Sequence, residues 1–132
     1  MKRIHVVAID DVSDILDLIQ YNLTKEGMDV DVFINGNEAI RHIQEVKPDV
    51  IVSDWMMPEL DGLEVCRILK SHIQTRDIPV IMLTCKGDLQ DYKKAMEAGA
   101  SDYIAKPVRM EELIRRIKLL LPPEELKRVR VG

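Results

Sequence analysis

Four short apolar runs in the sequence end on side chains that together could carry out phosphoryl transfer. Those side chains are Asp10 and Asp11, Asp54, Thr84 and Lys106. Three carboxylates held close together repel one another, and a hard divalent cation such as Mg²⁺, which takes oxygen ligands, would offset their charge. Lys106 would add positive charge and Thr84 a hydroxyl donor, while Asp54 could act as a nucleophile that forms an aspartyl phosphate. The residue types predict a phosphoryl-transfer site if the fold brings these positions together.

The order of the elements along the chain explains how they could meet. Five apolar runs, at residues 4–9, 29–33, 50–54, 80–83 and 102–105, alternate with five segments of helical periodicity. Such alternation is typical of an α/β fold with a doubly wound parallel sheet, right-handed crossovers and helices on both faces. The carboxyl ends of parallel strands share one edge of the sheet, so four of them would deliver the reactive residues to one pocket.

Each expected helix has an apolar face that should pack on the sheet. The residues expected to point inward are Val12, Ile15, Leu16, Ile19 and Leu23; Ala39, Ile40, Ile43 and Val46; Leu63, Cys66, Leu69 and Ile73; Leu89, Tyr92, Ala95 and Met96; and Met110, Leu113, Ile114, Ile117 and Leu121. Asn35 and Asp61 are expected to cap the second and third helices, and Gly27 and Gly99 to end the first and fourth. The fourth helix has the thinnest apolar face and should be the least anchored.

Composition limits the class of protein. The 132 residues, 46% of them hydrophobic and 32% charged, fit one domain, and we divide them into a domain at 1–121 and a short charged tail, or the start of a linker, at 122–132. No apolar stretch approaches the roughly 20 residues of a membrane span, and 4–9 is shorter than a signal peptide's apolar region of about 7–15 residues. We therefore expect a cytoplasmic protein. The net charge of −4 argues against a nucleic-acid surface on this domain.

The cysteines and histidines receive no role at this stage. Cys66 and Cys85 lack a metal-ligand spacing and are interpreted as buried free thiols. His5, His42 and His72 have no mutual spacing that suggests metal ligation.

Taken in order, these motifs resemble the receiver domain of bacterial response regulators in two-component signalling, the CheY-like superfamily. The resemblance covers about residues 4–121 and rests on Asp10-Asp11, Asp54 with Met56-Met57-Pro58 and Gly62, Thr84, Tyr103 and Lys106-Pro107. It implies the flavodoxin-like fold, in which the five strands have the order 2-1-3-4-5.

The resemblance also implies a phosphoryl acceptor and a metal site. Asp54 would accept a phosphoryl group from the phosphohistidine of a sensor histidine kinase or phosphotransfer protein, or from a small phosphodonor. Asp11 and Asp54 would bind Mg²⁺ directly, Met56 through its backbone carbonyl and Asp10 mainly through water, with Mn²⁺ as a substitute. The protein would be a signalling switch that catalyses only its own phosphoryl transfer and dephosphorylation.

The same resemblance implies how the switch works. Lys106, preceding a cis peptide bond to Pro107, would pair with the phosphoryl group, and Thr84 would turn towards it. Tyr103 would then rotate from outside to inside and change the face formed by helix 4, strand 5 and helix 5. A partner protein, an output domain or a second copy of the phosphorylated domain would bind that face.

Departures from the usual family pattern concern kinetics. Cys85 stands where a smaller residue is usual and should tighten access to the phosphoryl site, and Val108 replaces a common aromatic. Met56 and Lys86, each two residues past Asp54 and Thr84, occupy positions that in the family tune attack by water.

Other interpretations stay open. Asp11 could cap the first helix, and Lys127, Arg128 and Arg130 are interpreted as a solvated linker. A small Mg²⁺-dependent phosphatase would share the aspartyl phosphate chemistry but usually has an Asp-x-Asp motif and a cap domain. A flavin or dinucleotide carrier would need a glycine-rich loop where Asp10 and Asp11 stand. Because so short a tail cannot form an output domain, we expect a stand-alone receiver or one separated from its output.

Overall fold

The computed structural model, which describes residues 3–85 and 89–122, has within those ranges a five-stranded parallel sheet and five helices. The elements are β1 His5–Ile9, α1 Ser13–Lys25, β2 Asp29–Phe33, α2 Gly36–Val46, β3 Val50–Asp54, α3 Gly62–Lys70, β4 Val80–Thr84, α4 Leu89–Glu97, β5 Asp102–Ala105 and α5 Met110–Leu120. The strand order is β2-β1-β3-β4-β5. The predicted doubly wound fold and its strand order are confirmed.

The strand register brings the carboxyl ends of the strands to one edge. Ile9 at the end of β1 pairs with Phe33 on β2 and with Ser53 on β3. Thr84 at the end of β4 pairs with Ala105 on β5. The residues that follow these strand ends therefore emerge side by side, which is the placement that the alternating pattern predicts.

Alternating side chains of the strands form two core layers. Val7 and Ile9 of β1 pack with α2 and α3 on one face, where Ala95 of α4 joins the same layer. Val6 and Ala8 point to the opposite face and pack with α1 and α5. β3 and β4 are buried throughout, as expected for central strands covered by helices on both sides.

Five residues expected to face the core are exposed instead: Val12, Val46, Ile73, Leu89 and Tyr92. Four of them lie at or near helix ends, where an apolar periodicity continues past the turn that contacts the sheet, and Tyr92 lies inside α4. Val12 is the residue before α1, Val46 is the last residue of α2, and Ile73 lies beyond the end of α3 at Lys70. In α4 only Ala95 is buried, so the expectation of a thinly anchored helix is confirmed.

Two predicted helix caps are present. The side chain of Asn35 accepts a hydrogen bond from the backbone N–H of Glu38 at 2.9 Å. Asp61 accepts from the N–H of Glu64, whose carboxylate accepts in turn from the N–H of Asp61, and the two bonds form a complete capping box. The alternative role of Asp11 as a cap of α1 is wrong, because the chain enters that helix through Val12 with no side-chain cap.

Cys66 is buried, as predicted, whereas Cys85 is exposed, which corrects the expectation of two buried thiols. Cys85 lies one residue past the last residue of β4 and so has left the layer of buried strand residues. Lys86 and residues 123–132, for which roles are predicted from the sequence, lie outside the described residues. Across the described ranges, none of the helices has the length and apolar character required to cross a membrane.

Candidate functional site

The structure brings Asp10, Asp54, Thr84 and Lys106 together at the carboxyl edge of the sheet, with Asp11 at its rim. Asp10 and Thr84 are completely buried, Asp54 is 5% exposed, and Asp11 is exposed. Each position is fixed by its strand rather than by a long loop. The solvent exposure of the three aspartates thus increases from Asp10 through Asp54 to Asp11.

Lys106 connects the two buried carboxylates. Its Nζ lies 2.9 Å from Oδ1 of Asp54 and 3.1 Å from Oδ2 of Asp10. Its backbone N–H donates to the carbonyl of Thr84 at 2.8 Å, which continues the β4–β5 pairing by one residue. The Lys106–Pro107 peptide bond is cis, as predicted. One ammonium group therefore partly offsets two neighbouring negative charges.

Both oxygens of Asp10 already have partners. Oδ1 accepts from the backbone N–H of Val12 at 2.9 Å, and Oδ2 accepts from Lys106. The backbone N–H of Asp10 donates to the carbonyl of Phe33 at 3.1 Å. These contacts hold Asp10 in one orientation.

Burial and like charge act together on Asp54. Burial has the largest effect and raises the pKa of Asp54, repulsion from Asp10 and Asp11 acts in the same direction, and the ion pair with Lys106 offsets only part of the rise. For Lys106, burial acts to lower the pKa, but the hydrogen bonds to Asp54 and Asp10 outweigh it and the pKa lies above its ordinary value. The lysine is therefore charged at neutral pH, and Asp54 has an unfavourable negative charge.

This donor set fits a hard cation. Asp10, Asp11 and Asp54 each offer a carboxylate oxygen, and these atoms lie within 4.8 Å of one another. Three carboxylates face the single ammonium of Lys106, and repulsion from Asp10 and Asp11 adds to the effect of burial in raising the pKa of Asp54. Oxygen donors, excess negative charge and partial exposure are the features that suit Mg²⁺.

Gly62 closes the loop that follows Asp54. Its N–H donates to the carbonyl of Trp55 at 2.9 Å. A Cβ at this position would clash with the carbonyl oxygen of Asp54 and would lie 2.9 Å from the Cα of Trp55. In the loop between Asp54 and Gly62, the side chain of Trp55 is only 4% exposed, whereas that of Met56 is exposed. The close contact requires glycine and keeps α3 beside the end of β3.

Tyr103 lies in an aromatic cluster next to the site. Its ring makes edge contacts with Trp55 at 6.3 Å and with Tyr92 of α4 at 5.9 Å between ring centroids. The hydroxyl oxygen of Tyr103 is buried. The ring thus lies between Trp55, which follows β3, and Tyr92 of α4, which is the inward position that the resemblance implies for the activated state.

A second group of titratable side chains, not predicted from the sequence, lies elsewhere in the fold. His5, Asp31 and His42 converge near the start of β1, and each histidine Nε2 lies within 2.7 Å of the same Asp31 oxygen. The only available signal was the period-two pattern of β2, which places Asp31 on the face covered by α2.

Comparisons with known proteins agree with the geometry. The chain matches the profile of the response regulator receiver domain over residues 6–118. It is 37% identical over 116 residues to the phosphate regulon transcriptional regulatory protein PhoB of Rhizobium meliloti (strain 1021), covering 88% of this chain and 51% of that protein. The chain thus spans about half the length of this relative.

Solved structures of receiver domains and of a chemotaxis protein share this fold. The chemotaxis protein CheY4 of Vibrio cholerae superposes with a TM-score of 0.87 at 28% identity, covering 91% of this chain and 100% of that one. The receiver domain of a signal transduction histidine kinase from Syntrophus aciditrophicus superposes with a TM-score of 0.82 at 36% identity, covering 89% of each chain.

Proposed function

Because the chain belongs to the family of response regulator receiver domains, which are signalling domains, we propose that it is a switch operated by phosphorylation of Asp54. The observation that carries this assignment is the bridge from Lys106 Nζ to both Asp54 and Asp10. Asp54 is paired with Lys106 and is 5% exposed, whereas Asp10 is completely buried and both of its oxygens already have partners. The carboxylate of Asp54 is the nucleophile of the proposal.

In the proposed step, an oxygen of Asp54 attacks the phosphorus of a phosphohistidine. An O–P bond forms, the P–N bond breaks, and the imidazole of the donor leaves. The ammonium of Lys106 pairs with the carboxylate of Asp54 and is close enough to pair with the phosphoryl oxygens once the phosphoryl group is attached. Electrostatic stabilisation of this kind is the main contribution that a protein makes to phosphoryl transfer.

Mg²⁺ is the proposed cofactor, with Mn²⁺ as a substitute. Asp11, Asp54 and the backbone carbonyl of Met56 would hold it directly. Asp10 would act through water, which agrees with the partners that already occupy both of its oxygens. When bound, the ion supplies the positive charge that three carboxylates and an incoming phosphoryl group require.

Thr84 and Tyr103 are the proposed switch residues. Thr84 is buried at the end of β4, one strand away from Asp54, and its hydroxyl would donate to a phosphoryl oxygen. Tyr103 contacts both Trp55, beside the acceptor, and Tyr92 on α4. A change at Asp54 could therefore reach the face formed by α4, β5 and α5 through two ring contacts.

Partners follow from the same proposal. A sensor histidine kinase or phosphotransfer protein would supply the phosphoryl group, and an output domain, a protein target or a second copy of the domain would bind the changed face. PhoB is named as a transcriptional regulatory protein, which supports an output that controls transcription. The cytoplasmic location, and the division into a domain at 1–121 and a tail, stay predictions.

The direct test is phosphorylation by acetyl phosphate in the presence of Mg²⁺, followed by intact-mass analysis. We expect one base-labile phosphoryl group on the wild type and none on Asp54→Asn. The matched control is Asp17→Asn, at an exposed aspartate of α1, which should be labelled like the wild type. A phosphoryl group on Asp54→Asn would move the acceptor to another residue.

A further inference from the structure

Two histidines and one aspartate form a compact group of donor atoms far from Asp54. Nε2 of His5 lies 2.6 Å from Oδ2 of Asp31, and Nε2 of His42 lies 2.7 Å from the same oxygen. The three donor atoms lie within 4.8 Å of one another. Within the part of the chain that the structure describes, this is the only carboxylate shared by two imidazole rings.

The backbone fixes all three side chains on regular elements. His5 is the first residue of β1, and Asp49 holds its backbone twice, by accepting its N–H and by donating to its carbonyl, both at 2.8 Å. Asp31 lies in the middle of β2, paired with Val7. His42 extends from α2, where its ring packs on Phe33 at 4.9 Å. Donors on a helix and two paired strands are positioned more precisely than donors on loops.

The group is sheltered but open to solvent. The side chains of His5, His42 and Asp31 are 17%, 29% and 43% exposed. Burial acts to raise the pKa of Asp31, but the hydrogen bonds from His42 and His5 outweigh it and hold the pKa below its ordinary value. Because the ionised carboxylate is partly exposed, a metal ion can reach it from solvent. The two imidazoles beside it supply the other two protein ligands.

We propose that His5, Asp31 and His42 form a binding site for a divalent transition-metal ion such as Zn²⁺. Two imidazole nitrogens and one carboxylate oxygen are the ligand set of three-ligand zinc sites that keep an open coordination position. Magnesium and calcium prefer all-oxygen sites, so this group and the acidic cluster select different ions.

Metal binding would require the three donor atoms, which lie within 4.8 Å of one another, to reach nearly equal separations. Zn–N and Zn–O bonds of about 2.0–2.1 Å in a tetrahedral site separate two donors by about 3.3 Å. The present N···O distances of 2.6 and 2.7 Å would have to open by roughly 0.6 Å. Asp31 is the most exposed of the three side chains and can supply this movement. Each Nε2 would then bind the metal, and each ring would keep its proton on Nδ1.

The site is separate from the proposed phosphorylation site. His5 starts β1 and Asp10 follows its end, so the two positions are five residues, or roughly 16 Å, apart along an extended strand. Binding at one site should leave the ligands of the other in place. The proposal does not depend on the phosphorylation of Asp54.

The test is a Zn²⁺ titration of the full chain against a chromophoric chelator, in excess Mg²⁺. The background is Cys85→Ala, because an exposed thiol is itself a zinc ligand. We expect one Zn²⁺ per chain, with affinity reduced at least about tenfold in His42→Gln, since even changes outside the first ligands cost about 10–100-fold. The matched control is His72→Gln, the remaining histidine, which is exposed and outside the group.

A second measurement on the unaltered histidines makes the result independent of folding effects. In NMR spectra, Zn²⁺ should shift the signals of the imidazole nitrogens of His5 and His42. The signals of the His72 ring should stay unchanged. The proposal is overturned if His42→Gln binds Zn²⁺ as tightly as the background, if His72→Gln is the variant that loses it, or if Asp11→Asn abolishes binding, which would assign the ion to the acidic cluster.

Discussion

The helix α3 begins at Gly62 in direct contact with the backbone carbonyl of Asp54, and the space between them excludes even a methyl group. The first residue of a helix and the proposed phosphoryl acceptor are therefore packed against each other. Any residue larger than glycine must move either the helix or the end of β3.

Gly62→Ala should lower the free energy of unfolding by about 1–3 kcal/mol, the usual cost of overpacking a filled site. The obstacle is backbone, which cannot rotate away. The matched control is Gly36→Ala, at the first residue of α2, where the added Cβ would meet the side-chain Cγ2 of Val65 at 2.7 Å. Urea unfolding of both variants measures the effect. Equal losses in the two variants would contradict the role given to the Asp54 carbonyl.

Asp54→Asn should raise the free energy of unfolding at pH 7, by about 0.5–2 kcal/mol as is usual for a stabilising substitution. The pKa of Asp54 is raised in the folded protein, so the folded state binds this proton more tightly than the unfolded chain does. Ionisation of Asp54 then costs stability as the pH rises through its folded-state pKa. The advantage of the variant should shrink as the pH falls through that value.

Urea unfolding of the wild type and Asp54→Asn at several pH values measures this effect. Asp17→Asn, at an exposed position, is the control and should change stability little. A variant less stable than the wild type at pH 7 would show that the loss of the ion pair with Lys106 outweighs the relief of burial and of repulsion among the carboxylates.

Mg²⁺ should change the fluorescence of Trp55, and EDTA should reverse the change. Trp55 is the single tryptophan of the chain and follows Asp54 directly. Protons compete with the ion for Asp54, so the apparent affinity should weaken as the pH falls towards its raised pKa. Asp11→Asn should weaken the response, whereas Asp14→Asn, on the exposed side of α1, should not. If neither fluorescence nor calorimetry shows a response to Mg²⁺, that result would argue against the metal site.

Thr84→Ala should keep phosphorylation at Asp54 but lose most of the conformational response. Amide NMR shifts of residues 89–103, with and without beryllofluoride, measure that response, and Thr84→Ser should restore it. The matched control is Thr75→Ala, at a second buried threonine, whose hydroxyl donates to the Leu69 carbonyl at 2.6 Å. A full wild-type response in Thr84→Ala would show that the conformational change does not depend on the Thr84 hydroxyl.

The sequence predicted the sheet well because its strands are short, β-branched and bounded by turn residues. Val50–Asp54 and Asp102–Ala105 were predicted with the bounds that the structure shows. The site residues were predictable for a related reason, since strand ends of a parallel sheet must share an edge. Geometry such as the bridge from Lys106 to Asp10 depends on rotamers that no local pattern specifies.

The failures have physical causes as well. Ile73 continues the apolar periodicity of α3 but lies past the helix end, because periodicity does not report where the backbone hydrogen bonds stop. The contact from His5 to Asp31 joins residues 26 positions apart, and His42 reaches Asp31 from a different element. A group assembled from β1, β2 and α2 appears only once the strands are paired.

The contrast between the two cysteines gives the chain a natural attachment point for a chemical probe. Burial raises the pKa of the Cys66 thiol and keeps it protonated, whereas Cys85 is exposed immediately after Thr84. A maleimide dye at neutral pH should therefore attach once, at Cys85, without any engineered cysteine. A probe there would lie beside the proposed switch, so its emission could follow activation in real time, and peptide mapping that found dye on Cys66 would rule out this use.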